Sequence, residues 1–177
     1  EFLTDDSFRN IEDLSDYEEK DNDMPMILIV EDNNDMRRYI KSILRYKFRI
    51  IEATNGQIGY EMAKKHFPDM IISDMMMPVC DGLEFCRMIR EDSSLCHIPF
   101  LMLTALSDDD SRLKSYQKGV NGFLVKPFTK DMLEARIDNI LSERKMLQKE
   151  LSYNLENSYA KVNIDRSDKA FMEHLLE

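Results

Sequence analysis

The chain has 177 residues and a formal net charge of −10, which is enough for one domain of common size with additional segments. Residues 1–24 contain ten acidic and two basic side chains, so the remaining residues are nearly neutral. Neither part has the basic stripe that marks a nucleic-acid-binding surface. No apolar run approaches the roughly 18 residues of a membrane-spanning helix, and no signal peptide is readable at the start.

The three cysteines, Cys80, Cys86 and Cys96, lack the spacing of metal ligands or of a disulfide framework. This pattern favours reduced thiols in a reducing compartment. We therefore expect a cytoplasmic location and no membrane contact by this chain.

Residues 1–24 are acidic and without sustained periodicity, which predicts a linker. Beyond them, apolar runs of strand length alternate with segments of helical spacing. Strands are predicted over residues 26–30, 48–53, 69–73, 98–103 and 122–125. Helices are predicted to begin near Asn33 or Asn34, after Asn55, at Gly82, at Ser107 or Asp108, and after Thr129. The fourth predicted helix ends at Gly119.

Five strands alternating with five helices predict an α/β fold with a doubly wound parallel sheet and helices on both faces. The flavodoxin-like strand order 2-1-3-4-5 places the first and third strands side by side at the switch point. Ligands bind at the carboxyl ends of the strands in such sheets.

The polar residues of interest stand at these strand ends. Glu31 and Asp32 follow the first strand, and Asp74 follows the third. Thr104 ends the fourth run and Lys126 ends the fifth. Three neighbouring carboxylates raise one another's pKa unless a cation compensates them, and Mg²⁺ prefers such oxygen ligands. The pattern predicts a site for a divalent cation and a phosphoryl group.

Residues 26–141 resemble the receiver domain of two-component response regulators. The resemblance rests on an ordered set of motifs: Glu31-Asp32, Asp74 through Pro78 with Asp81-Gly82, Thr104-Ala105, and Phe123 through Lys126-Pro127.

The resemblance implies that Asp74 accepts a phosphoryl group from the phosphohistidine of a histidine kinase, with Mg²⁺ and without enzymatic turnover beyond autodephosphorylation. It also implies roles for the surrounding residues. The implied metal ligands are Glu31, Asp32, Asp74 and the backbone carbonyl of Met76, with Glu31 acting directly or through water. Glu31 stands where the family usually has aspartate.

The resemblance also implies that Lys126 and Thr104 contact phosphoryl oxygens, and that Thr104 moves together with the aromatic residue Phe123. A cis peptide bond between Lys126 and Pro127 is also implied. We expect this switch to promote homodimerisation through the face of the fourth helix, fifth strand and fifth helix.

Apolar residues continue past the last strand at helical spacing, which predicts a helix that extends beyond the domain. These residues are Leu133, Ile137, Ile140, Leu147 and Leu151. The predicted domains are an acidic linker (1–24), a receiver (25–141), and a helical extension leading to an absent output domain (142–177).

The end of the chain resembles the segment before an AraC-type helix-turn-helix domain in hybrid two-component sensors. This implies a parent histidine kinase anchored in the inner membrane, with DNA bound only by the absent domain.

Three other functional classes share parts of this pattern. A flavodoxin would need a phosphate-cradling first loop, whereas residues 31–35 are acidic and would repel FMN. A haloacid-dehalogenase-type phosphatase usually has a second aspartate two positions after the nucleophile, where this chain has Met76. A degenerate receiver that acts as an unphosphorylated interaction module is the alternative kept, although every required side chain is present.

Overall fold

The computed structural model describes residues 24–105 and 119–174, with side chains described up to Leu155. Its strands are β1 (Met26–Val30), β2 (Arg49–Ala53), β3 (Met70–Asp74), β4 (Phe100–Ala105) and β5 (Gly122–Lys126). Its helices are α1 (Asn34–Leu44), α2 (Gly56–His66), α3 (Gly82–Glu91) and α4 (Lys130–His174). The predicted fourth helix lies outside the described residues, so the predicted fifth helix is α4.

All strand pairs are parallel, and the order is β2-β1-β3-β4-β5. The predicted fold class is therefore confirmed. β1 and β3 pair side by side, with Val30 opposite Ser73. The residues that follow Val30 therefore lie next to Asp74, the last residue of β3.

The start of β4 was predicted wrongly. Residues 98 and 99 precede the strand, because the Ile98 N–H closes a turn on the Leu95 carbonyl (2.9 Å) and residue 99 is a proline without an N–H. The strand extends to Ala105, so Thr104 lies within β4 rather than beyond it.

Polar side chains fix the helix starts around the carboxyl ends of the strands. The Asn33 side chain accepts from the backbone N–H groups of Asp35 and Met36, which decides between the two predicted caps of α1. The Asp81 side chain caps α3 in the same way.

At Gly82 the backbone of α3 approaches the end of β3 closely. A β-carbon there would lie 2.1 Å from the Asp74 carbonyl oxygen, a distance that only glycine avoids.

The central strands are buried on both faces, as their continuous apolar runs predict. Every residue of β3 is buried, and so are the first five residues of β4. Phe85 on α3 packs edge-on against Phe100, with ring centroids 5.3 Å apart. The sheet is thereby a rigid support for the polar residues at its edge.

The chain divides into two units, with the boundary between Ile137 and Asp138. α4 runs through this boundary as one helix of 45 residues. The second unit carries exposed apolar side chains, namely Met146, Leu147, Leu151, Tyr153 and Leu155. In the described part of the chain, no helix is both long and apolar enough to cross a membrane. The domain limits given above stay predictions.

Candidate functional site

Three carboxylates meet at the carboxyl edge of the sheet. Glu31, Asp32 and Asp74 each offer an oxygen, and these atoms lie within 4.8 Å of one another. Glu31 is 1% exposed and Asp74 is 8% exposed, whereas Asp32 is exposed to solvent. The structure thus brings together the three acids that the sequence predicted as metal ligands.

The ammonium group of Lys126 lies among these acids. Its Nζ is 2.9 Å from Glu31 Oε2 and 2.9 Å from Asp74 Oδ1. Burial opposes the charged form of Lys126, but its hydrogen bonds to Glu31 and Asp74 outweigh that effect and raise its pKa. One cation therefore offsets part of the charge of three anions, and an excess of negative charge remains.

Hydrogen bonds hold both the backbone and the side chain of Glu31 in place. Its backbone N–H donates to the Ala53 carbonyl (3.1 Å), and its Oε1 accepts from the Asn33 N–H (3.1 Å). Burial raises the pKa of the Glu31 carboxyl, an effect that the hydrogen bond from Lys126 opposes. The Glu31 carboxylate thus contacts Lys126 and belongs to the acidic cluster at the same time.

Asp74 lines an open cleft. Its Oδ1 accepts from Lys126 and from the Met75 N–H (2.9 Å). Within residues 24–105 and 119–155, no group donates a hydrogen bond to Oδ2. The cleft is lined by Glu31, Asp32, Asn33, Asp35, Met36, Tyr39, Asp74 and Lys126. An incoming group can therefore reach the Asp74 carboxylate from this side.

Thr104 and Phe123 lie on the neighbouring strands β4 and β5. The Thr104 side chain is buried, and its hydroxyl donates to the Ala105 carbonyl (3.1 Å). Phe123 is half-buried and packs against the core cluster. Its backbone carbonyl accepts from Nε and Nη2 of Arg136 on α4 (3.2 and 3.1 Å). The Lys126–Pro127 peptide bond is cis, as predicted.

Met76 lies in the loop between β3 and α3, where it is 74% exposed. The assignment of its carbonyl as a metal ligand stays a prediction.

Sequence reasoning missed Arg37, whose guanidinium donates to the Glu31 carbonyl (2.8 Å) and to Asn34 Oδ1 (3.0 Å). The helical i, i+3 spacing of Asn34 and Arg37 indicated the second contact, but no sequence signal indicated the first.

The donor set fits a hard divalent cation. Carboxylate oxygens are the ligands that Mg²⁺ prefers, and one or two of them suffice alongside water and phosphate oxygens. The remaining negative charge of the cluster favours such a cation. Glu31, Asp32 and Asp74 are the residues that would hold it.

Comparisons with known proteins agree with this geometry. The model of the family described as response regulator receiver domain matches residues 27–138. Over 164 residues the chain is 34% identical to Histidine kinase P4 of Formosa agariphila, covering 93% of this chain but 12% of that protein. It is 40% identical over 116 residues to chemotaxis protein CheY-3 of Vibrio cholerae, which is 64% of this chain and 89% of that protein.

Among solved structures, the chain resembles the signal receiver domain of a signal transduction histidine kinase from Syntrophus aciditrophicus. The TM-score is 0.63 at 32% identity, and the match covers 67% of this chain and 91% of that one. The fold, the edge cluster and these matches agree, and the chain therefore belongs to the response regulator receiver domain family.

Proposed function

We propose that Asp74 of this chain accepts a phosphoryl group from the phosphohistidine of a histidine kinase. The observation that carries the proposal is the Asp74 carboxylate itself, which is nearly buried in the acidic cluster with Lys126 Nζ at 2.9 Å. A carboxylate is a nucleophile that forms a covalent phosphoryl intermediate.

In the transfer, an oxygen of Asp74 bonds to phosphorus as the phosphorus–nitrogen bond to the donor histidine breaks. The departing imidazole keeps the electron pair and takes up a proton. Catalysis of such a step is mostly positioning and charge neutralisation. Lys126 supplies the charge at one phosphoryl oxygen, and Thr104 donates a hydrogen bond to another.

Mg²⁺ is the proposed cofactor, with Glu31, Asp32, Asp74 and the Met76 carbonyl as its protein ligands. When bound, this ion neutralises negative charge on the phosphoryl oxygens.

Thr104 and Phe123 are proposed to carry the signal onward. To reach a phosphoryl oxygen, the Thr104 hydroxyl has to leave the Ala105 carbonyl to which it now donates. This shift frees space beside Phe123. Phe123 pairs with Met102 of β4, and Thr104, two positions further along β4, lies on the same face of the sheet as Met102. A local change of this kind biases an element with two arrangements.

The proposed context is a longer signalling protein, of which this chain is a cytoplasmic part. The relative from Formosa agariphila is named a histidine kinase and exceeds this chain greatly in length, which supports a hybrid kinase with a receiver. We further propose that an AraC-type output domain beyond this chain binds DNA, and that the parent protein is anchored in the inner membrane.

The proposal is tested by incubating the chain with acetyl phosphate and measuring its intact mass. We expect a single phosphoryl adduct with Mg²⁺ that is absent in EDTA and absent from Asp74→Asn. The matched control is Asp35→Asn, which removes an exposed carboxylate of the same cleft and should leave the adduct unchanged. An adduct that persists in Asp74→Asn or in EDTA contradicts the proposal, and no adduct at all favours the unphosphorylated interaction module.

A further inference from the structure

The guanidinium of Arg37 joins three elements behind the acidic cluster. Its Nη1 donates to the Glu31 carbonyl at the end of β1 (2.8 Å), and its Nη2 donates to Asn34 on α1 (3.0 Å). Its Nε lies 3.4 Å from Glu52 Oε1 on β2, and the side chain is only 15% exposed. These contacts use three nitrogens of the fixed guanidinium fork of arginine, which lysine does not reproduce.

These contacts fix the peptide group between Glu31 and Asp32. The Glu31 carbonyl belongs to the same rigid plane as the Asp32 nitrogen, so holding this oxygen sets the direction in which Asp32 leaves the strand. The Glu31 side chain has further anchors in Asn33 and Lys126. Asp32 is exposed, and its side chain makes no hydrogen bond or ion pair with the described residues. Its orientation therefore depends on the backbone.

We infer that Arg37 is a positioning residue that orients Asp32 for divalent cation binding. The inference rests on the proposed function, since it requires a cation at the acidic cluster. Groups that hold metal ligands in place typically account for roughly 10–100-fold in metal affinity. Arg37 holds a ligand through the backbone, so we expect an effect of about tenfold, at the lower end of that range.

The direction in which the affinity for the cation changes distinguishes a positioning role of Arg37 from a purely electrostatic one. Removing a positive charge near a cation site strengthens cation binding if only the electric field matters. Loss of the Arg37 contacts should instead weaken binding, because Asp32 then samples orientations that do not face the cluster.

The test is calorimetric titration of Mg²⁺ into the whole chain, without any phosphoryl donor. Arg37→Ala should raise the Kd about tenfold, and Arg37→Lys should restore the charge without restoring the affinity. Arg38→Ala and Lys41→Ala are matched controls, because each removes one positive charge from the same helix. Arg38 is exposed, and Lys41 contacts Glu52 without reaching Glu31. Both controls should bind Mg²⁺ at least as tightly as the wild type.

Unfolding midpoints in EDTA separate a folding defect from a binding defect. If Arg37→Ala is unfolded, Asn34→Ala replaces it in the titration. This change removes only the Nη2 contact and leaves the net charge unaltered, and a smaller rise in Kd is expected. An unchanged Kd in the folded variant, or equal weakening in Arg37→Ala and Arg38→Ala, overturns the inference. A wild type that binds no Mg²⁺ overturns the proposed cofactor as well, so the wild-type titration alone tells the two failures apart.

Discussion

Glu31 and Lys126 show how one residue pair sets the charge of the site. The Lys126 ammonium lies between Glu31 Oε2 and Asp74 Oδ1, at 2.9 Å from each, and so occupies oxygens that a divalent cation would use. Under the proposed function, Lys126 therefore attracts the phosphoryl group and competes with Mg²⁺ for the same carboxylate oxygens.

We expect Lys126→Ala to bind Mg²⁺ roughly tenfold more tightly, which is about 1.4 kcal/mol. This free energy is smaller than the interaction energy of ~4 kcal/mol between two unit charges about 4 Å apart near a protein surface. The same variant should be impaired in forming or using the aspartyl phosphate, because the charge at one phosphoryl oxygen is lost. Calorimetry and intact mass measure the two effects, with the exposed Lys130→Ala as control. A loss of Mg²⁺ affinity as large as that of Asp32→Asn would contradict this division of roles.

At the scale of elements, a cluster at the C-terminal end of α3 joins this helix to α2. Asp92 Oδ1 accepts from the hydroxyl and the N–H of Ser94 (2.6 and 2.9 Å), and its Oδ2 accepts from the Tyr60 hydroxyl on α2 (2.8 Å). Lys64 lies 3.9 Å away. The Ser94 hydroxyl, followed by the Tyr60 hydroxyl, lowers the pKa of Asp92 to about 2.

The lowered pKa makes the contribution of Asp92 to stability dependent on pH. In the unfolded chain its pKa is about 3.9, so the ionised carboxylate stabilises the fold fully above that value. The contribution is lost as the pH falls through the folded-state value of about 2. We expect Asp92→Asn to be less stable than the wild type at pH 6, with the difference shrinking between about pH 4 and pH 2.

Denaturant unfolding across this pH range measures the difference. Glu61→Gln, an exposed carboxylate on α2, is the matched control and should show no such convergence. A difference between Asp92→Asn and wild type that is constant from pH 6 to pH 2 would refute the assignment.

At the scale of the whole molecule, the proposed phosphorylation of Asp74 is expected to act through the proposed homodimer face. The proposed homodimer face comprises the predicted fourth helix, β5 and the start of α4, and its first component lies outside the described residues. The described part carries mixed charges on Lys130, Asp131 and Arg136, as a polar and switchable interface would. In the second unit, Leu147 and Leu151 are 60% and 63% exposed.

We expect the phosphoryl mimic beryllofluoride to convert the chain from monomer to dimer at micromolar concentration, as measured by sedimentation velocity. Leu147→Lys combined with Leu151→Lys should weaken the dimer, because the apolar contacts between the helices of the two copies are then lost. Acetyl phosphate should still modify Asp74 in this variant. Gln148→Lys adds charge at a neighbouring exposed position and should leave the dimer intact. A monomer that persists with beryllofluoride would exclude the dimer switch while leaving the family assignment in place.

The residue pattern predicts the five strands and, with the flavodoxin-like strand order, the residues that meet at the sheet edge. Continuous apolar runs specify buried parallel strands, and the handedness of the crossovers restricts the topology. Glu31, Asp32 and Asp74 then converge because the carboxyl ends of neighbouring parallel strands share one edge. The predicted start of the fourth strand at Ile98 was wrong, because the apolar residues continue through a turn that is followed by a proline.

The contacts that these residues make follow from the tertiary structure. Glu31 and Lys126 are 95 positions apart, and their ion pair depends on how far each side chain reaches from its strand end. The contact of Arg37 with the Glu31 carbonyl depends on α1 turning back over β1 and on Glu52 of β2 lying beside it. The ion pair joins elements that are distant along the chain, and both contacts form where packing fixes side-chain rotamers, which no local pattern of residues specifies.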